Sequence, residues 1–118
     1  MSDINKIIQE FERSRIQLGA IEQQVNSLNI QSQVLGEAIK ELGESKEEKV
    51  YKAVGNILIL SNAKKVLADV EKQKETIDLR AKTLKKQESA AIDKLNKLKA
   101  EIEAAQKGAN KDEKKEAE

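Results

Sequence analysis

The sequence has no cysteine, histidine, proline or tryptophan, and only one phenylalanine and one tyrosine among its 118 residues. Without cysteine there are no disulfides and no thiolate chemistry, and without histidine as well nearly every transition-metal site is excluded. The missing cysteine also fits a reducing compartment. Without proline, nothing in the chain forces a kink in a long helix. With Phe11 and Tyr51 as its only aromatics, the chain has few large side chains from which to build a three-dimensional core. No segment approaches the ~20 apolar residues that a bilayer span requires. Met1-Ser2-Asp3-Ile4 has neither the basic start nor the apolar stretch of a signal peptide. Net charge is only +1, which gives no bulk electrostatic attraction to nucleic acid or an anionic membrane. The expectation is a soluble cytoplasmic protein with no cofactor, engaging neither nucleic acid nor membrane.

Charge and periodicity are abundant. Charged residues make up 36% of the chain, a composition typical of long solvated helices. One series of positions steps by three and four without a break: Ile4, Ile7, Phe11, Ser14, Leu18, Ile21, Val25, Leu28, Ser32, Leu35, Ile39 and Leu42. All are apolar except the two serines. A second series keeps the same rhythm: Ala63, Leu67, Val70, Lys74, Ile77, Ala81, Leu84, Glu88, Ala91, Leu95, Leu98, Ile102 and Ala105. Its interruptions are Lys74 and Glu88. A 3.5-residue repeat places one apolar stripe along a helix, and that stripe seeks a partner helix.

Between the two series, Val50-Tyr51-Lys52-Ala53-Val54-Gly55-Asn56-Ile57-Leu58-Ile59-Leu60 breaks the rhythm and reads as strand, turn, strand. A two-residue Gly55-Asn56 connection favours a tight hairpin, because glycine supplies positive φ at the first central position. That turn sets Val54 against Ile57, Ala53 against Leu58, Lys52 against Ile59 and Tyr51 against Leu60. The run Ile57–Leu60 is apolar on both faces, and such a strand expects cover on both sides.

The boundaries follow from local signals. Helix one is expected over 3–43, capped by Ser2 or Asp3 and stopped by Gly43. Ser45-Lys46-Glu47-Glu48 has capping-box spacing and predicts a short helical turn before the first strand. Helix two is expected over 62–107, with Ser61 or Asn62 as its cap. Residues 1–107 then form a single domain, and 108–118, charged and without large apolar residues, are expected to be disordered.

Folded at the hairpin, the two stripes align in constant register. Ile39 faces Leu67, Leu28 faces Ile77, Phe11 faces Leu95 and Ile4 faces Ile102. The weak position Ser32 falls opposite Lys74, a polar layer that costs stability but can fix register. Asp3–Glu44 holds four basic and seven acidic residues, Asn62–Lys107 twelve basic and eight acidic. The opposite signs favour packing of the two helices. Asp78 with Lys82 and Asp93 with Lys97 have the helix-supporting i,i+4 order.

The expected fold is mainly α: a long antiparallel two-helix coiled coil with one β-hairpin at the bend. An isolated hairpin is marginal in water. Hairpins from several subunits are therefore expected to pair into a β-barrel core, which removes the unpaired edges. The assembly residues would be Val50, Tyr51, Val54, Gly55, Ile57, Leu58, Ile59 and Leu60.

A second candidate surface lies where the chain ends meet. Ile4, Ile7, Ile8 and Phe11 face Ile92, Leu95, Leu98 and Ile102, and Ile8 and Ile92 fall outside the seam. A frayed tip would present a mobile apolar patch suited to weak, promiscuous contact. The plainer reading of these residues is ordinary seam packing with isolated surface isoleucines. Ile16, Ile30, Val34, Val66 and Leu79 also lie off the seam. Val34 and Val66, near the bend, are candidates for contact with neighbouring subunits.

The layout of helix, hairpin and helix, and above all Val50-Tyr51-Lys52-Ala53-Val54-Gly55-Asn56-Ile57-Leu58-Ile59, resembles the prefoldin β-type subunit, especially its archaeal form. A single hairpin fits the β type; the α type carries two. The resemblance implies an ATP-independent holdase chaperone that forms a hexamer of two α-type and four β-type subunits. It further implies capture of unfolded client proteins at the coiled-coil tips and their transfer to a group II chaperonin. On this resemblance Tyr51, Val54, Gly55, Ile57 and Ile59 serve assembly. Ile4, Ile7, Ile8, Phe11, Leu95, Leu98 and Ile102 serve client binding.

The competing class is a coiled-coil structural spacer or adaptor that binds one folded partner. A simple rod, however, needs no apolar hairpin. An enzyme is disfavoured, because the chain lacks histidine, cysteine and a glycine-rich phosphate loop, and its carboxylates are spaced as solvated helix faces. The lysines of helix two, including Lys64-Lys65 and Lys85-Lys86, are interspersed with acids and lack aromatic stacking partners, so they read as a solvated face too.

Overall fold

The computed structural model describes the backbone of residues 2–117 and the side chains of residues 3–108. Two helices, α1 (Ser2–Glu44) and α2 (Ala63–Ala117), are joined by a two-stranded antiparallel hairpin, β1 (Lys49–Val54) and β2 (Ile57–Asn62). Both stripes read from the sequence lie inward. Every seam position named above, from Ile4 to Leu42 and from Ala63 to Ala105, is buried or half-buried.

The residues group into two compact units. One comprises Met1–Gln24 with Leu84–Glu118, the other Val25–Thr83.

In the unit built on Val25–Thr83, α1 ends one residue beyond the expected position, with the Ser45 N–H donating to the Glu41 carbonyl at 3.0 Å. The short helical turn expected over 45–48 does not form. The Ser45 hydroxyl accepts from the Glu47 N–H at 3.2 Å, a tight local turn that leads the chain straight into β1. Strand pairing prevails over the capping signal because the ladder begins at Lys49↔Asn62, one pair before the expected start of β1 and two beyond the expected end of β2. The predicted register is otherwise observed: Val54↔Ile57, Ala53↔Leu58, Lys52↔Ile59 and Tyr51↔Leu60. Gly55 has φ of 60°, and no non-glycine residue has positive φ among the described residues, the pattern of a turn with glycine first.

Asn62 performs two tasks. It is the last residue of β2, and its Oδ1 accepts from the Lys64 N–H at 2.9 Å and the Lys65 N–H at 3.3 Å, capping α2. The next residue, Ala63, donates its N–H to the Glu48 carbonyl at 2.8 Å. The strand base and the helix start are thus one hydrogen-bonded corner.

The same unit contains the expected polar layer, with an additional member. The Ser32 hydroxyl donates to Asp78 Oδ1 at 2.5 Å, and Lys74 Nζ lies 2.8 Å from Asp78 Oδ2. The sequence pairs Asp78 with Lys82, four residues ahead; the carboxylate reaches Lys74, four residues behind. Helical side chains lean toward the helix N-terminus, which carries Asp78 back to the level where Ser32 faces Lys74. Lys74, at a seam position, is thereby neutralised where it is half-buried.

In the unit built on the two chain ends, Ser14 is 2% exposed. Glu10 Oε1 and Lys94 Nζ form an ion pair across the two helices at 3.4 Å. Gly19 lies inside α1, with nothing within 4 Å of where a Cβ would stand. Gly19→Ala is therefore expected to stabilise the chain by up to ~1 kcal/mol through helix propensity alone, read as a higher urea midpoint with unchanged slope.

The sequence places the end of α2 at Gly108, but the helix continues to Ala117. The alanines, lysines and glutamates that follow are strong helix formers, and one internal glycine costs only about 1 kcal/mol. The disorder expected of 108–118 concerns residues that, beyond Gly108, lie outside the described side chains.

Candidate interaction surfaces

Hairpin residues alternate between two faces, and here neither face is covered. Tyr51, Val54, Ile57, Leu58, Ile59 and Leu60 are all exposed, Ile57 at 65% and Leu58 at 66%. These last two are adjacent and point to opposite faces, so no rotation of the hairpin within its own chain could bury both. Val50 is half-buried at the base. Gly55 occupies the turn, where its positive φ is required. Every residue assigned to assembly from the sequence thus lies on one small, two-faced apolar element. Its outer edges are unpaired, since the sheet has two strands only.

The candidate client surface is less uniform. Ile8 and Ile92 are each 39% exposed, as expected of positions beside the seam. Ile4, Ile7, Phe11, Leu95 and Ile102 are half-buried. Leu98 is buried at 7%, so in the intact seam it supports the surface without presenting itself. The exposed ion pair of Glu10 with Lys94 lies among these residues and spans the two helices where the apolar side chains are partly open.

Among the described residues, no cluster of three or more Asp, Glu, His or Cys is arranged to hold a metal ion. No described helix is long and apolar enough to cross a membrane.

One groove was not anticipated. In the unit built on Val25–Thr83, the off-seam residues Ile30 and Val34 combine with seam residues Leu35 and Ile77 to floor a groove of about 550 Å³ between α1 and α2. The sequence marks Ile30 and Val34 as off the seam. That they share a groove with α2 depends on the rotation of both helices, which single-helix periodicity does not contain.

Comparison with known proteins follows the same layout. A sequence profile described as prefoldin subunit matches residues 5–109. The prefoldin subunit beta of Pyrobaculum neutrophilum is 28% identical over 100 residues, covering 84% of this chain and 79% of that protein. The prefoldin subunit beta of Archaeoglobus fulgidus is 31% identical over 86 residues, covering 72% of this chain and 74% of that protein. Among solved structures, the prefoldin beta subunit from Thermococcus strain KS-1 superposes with a TM-score of 0.82 at 24% identity, covering 89% of this chain and 93% of that one. At that identity the likeness establishes the fold.

Proposed function

The chain belongs to the prefoldin subunit family, as a β-type chaperone subunit, and from this premise we propose that it is an ATP-independent holdase that captures non-native protein and passes it to a group II chaperonin. The observation that carries the reading is the division of its apolar surface. One exposed apolar element, the hairpin, has unpaired edges and suits permanent assembly. Another, around Ile8 and Ile92, is small, partly open and suited to weak contact.

Assembly is with other prefoldin subunits, and the proposed form is a hexamer of two α-type and four β-type chains. Hairpin edges from neighbouring subunits complete one another's ladders in a closed sheet, so that no strand edge stays open. Their apolar faces are buried at the same time. Client capture then needs no deep pocket. Several shallow apolar surfaces acting on one unfolded chain raise avidity through effective concentration, and each contact remains weak enough to release. The reading asks for no nucleotide, since neither surface holds a phosphate-binding loop.

The test is suppression of aggregation of a chemically unfolded protein by the complex formed with an α-type subunit. Removing Ser2–Phe11 and Leu95–Glu118 is expected to abolish suppression while native mass spectrometry still reports the hexamer. Unchanged suppression by the truncated complex would refute client capture at the chain ends.

A further inference from the structure

We propose that the groove floored by Ile30, Val34, Leu35 and Ile77 is a docking site for an acidic amphipathic helix of a partner protein, separate from both the hairpin and the chain-end surface. The argument rests on what lines it. Ile30 is 54% exposed and Val34 58%, one helical turn apart on α1. Together with the seam residues they form an apolar trough about 550 Å³ in volume, open along its length. This is the shape into which a third helix lays apolar side chains spaced i, i+4, i+7.

The charge of the walls selects the occupant. The groove includes Lys72 and Arg80, and none of its lining residues is acidic, although the chain contains 21 Asp and Glu. Among the described residues neither cation takes part in an ion pair. A second groove of the same unit, which includes Ile39 and Leu79, is lined by Glu71, Glu75 and Asp78 as well as Lys74 and Lys82, so the two grooves differ in charge. Lys72 and Arg80 stand eight residues apart on α2, about 12 Å at the helical rise. That matches two carboxylates two turns apart on an incoming helix.

Three uncharged polar side chains, Gln31, Gln73 and Thr76, complete the lining. The Thr76 hydroxyl donates to the Lys72 carbonyl at 3.1 Å, and the Gln31 amide donates to the Ser27 hydroxyl at 3.2 Å. Both have a partner on their own helix, whereas the Gln73 amide and the second Gln31 N–H must find theirs on the incoming helix.

The probe is a fluorescent, stapled 18-residue helical peptide with leucines at i, i+4, i+7 and i+11 and glutamates two turns apart along one flank. Its control carries lysine at the glutamate positions. Binding is read by anisotropy on the full chain, alone and in its complex with an α-type subunit. The acidic peptide is expected to bind in both forms. Val34→Glu, or Lys72→Glu with Arg80→Glu, should each weaken it at least about tenfold at unchanged helicity, and the charge-reversed double variant should gain affinity for the lysine peptide. Ile8→Asp with Ile92→Asp should leave binding unchanged. Three outcomes overturn the proposal. Equal binding of both peptides would mean unselective hydrophobic contact. Loss of binding in the chain-end variant would mean that the peptide is held as a client. Loss of binding on assembly, or a fall in oligomer mass caused by Val34→Glu, would mean that a neighbouring subunit fills the groove.

Discussion

Ile59→Asp, and separately Leu58→Asp, is expected to prevent incorporation into the complex with an α-type subunit and to leave a folded single chain of 13.2 kDa. The two residues are adjacent in β2, so they lie on opposite faces of the hairpin, and in the isolated chain they are 48% and 66% exposed. A carboxylate at either position is well solvated in the single chain. Once a neighbouring hairpin covers that face, the charge must leave water without a partner, a penalty of several kcal/mol per subunit after relaxation. The burial of the original side chain, worth about 1.5–3 kcal/mol, is lost as well. Four β-type chains in the proposed hexamer multiply the effect. Helicity should be nearly unchanged, because the seam from Ile4 to Leu42 and from Ala63 to Ala105 does not include the hairpin. Native mass spectrometry reads the assembly and circular dichroism the fold. A hexamer that tolerates Leu58→Asp but not Ile59→Asp would show that only one face is covered and would remove the argument from the two-faced apolar strand.

The seam and the hairpin were legible in the sequence for the same reason: both are written in short-range periodicity. A step of three and four fixes which face of each helix turns inward, and every position it selects is buried or half-buried. Gly55-Asn56 fixes a two-residue turn, and a two-residue turn fixes every pair of the ladder. What remained illegible depended on competition between elements. Ser45-Lys46-Glu47-Glu48 carries a good capping signal, but the chain must enter β1 by Lys49, and the Glu48 carbonyl is taken by the Ala63 N–H at the start of α2. Asp78 has a lysine at i−4 and another at i+4. The engagement of Lys74 follows from Ser32 on the facing helix, which no one-helix rule contains. Gly108 resembles a stop until the helix-forming residues after it are weighed.

The candidate sites divide in the same way. The hairpin residues could be named because they share a strand-like run, and their exposure follows from having only two strands. The chain-end residues could be named from composition and spacing, but not their individual access to a ligand. The heptad puts Leu98 in the seam and Ile92 beside it, but how far each is covered, 7% against 39% exposed, depends on the facing helix.

That difference in access sets the second expectation. Ile8→Asp with Ile92→Asp should remove most aggregation suppression while the complex keeps its mass and nearly its stability. Both positions are 39% exposed and lie outside the seam, so charged replacements cost the folded chain little, in the range of ordinary surface substitutions. The effect on client binding is amplified by multivalency. If one substituted surface loses about tenfold in affinity, ~1.4 kcal/mol, a client held at two such surfaces loses about a hundredfold, and one held at three about a thousandfold. Leu98→Ala supplies the contrast. It removes a buried seam side chain and is expected to destabilise the chain by about 2–5 kcal/mol, lowering suppression through loss of folded protein, so that suppression per folded complex stays near normal. Light scattering of an unfolded client, normalised to complex measured by native mass spectrometry, separates the two. Full suppression by the Ile8→Asp, Ile92→Asp complex would move client capture away from the chain ends and onto another surface.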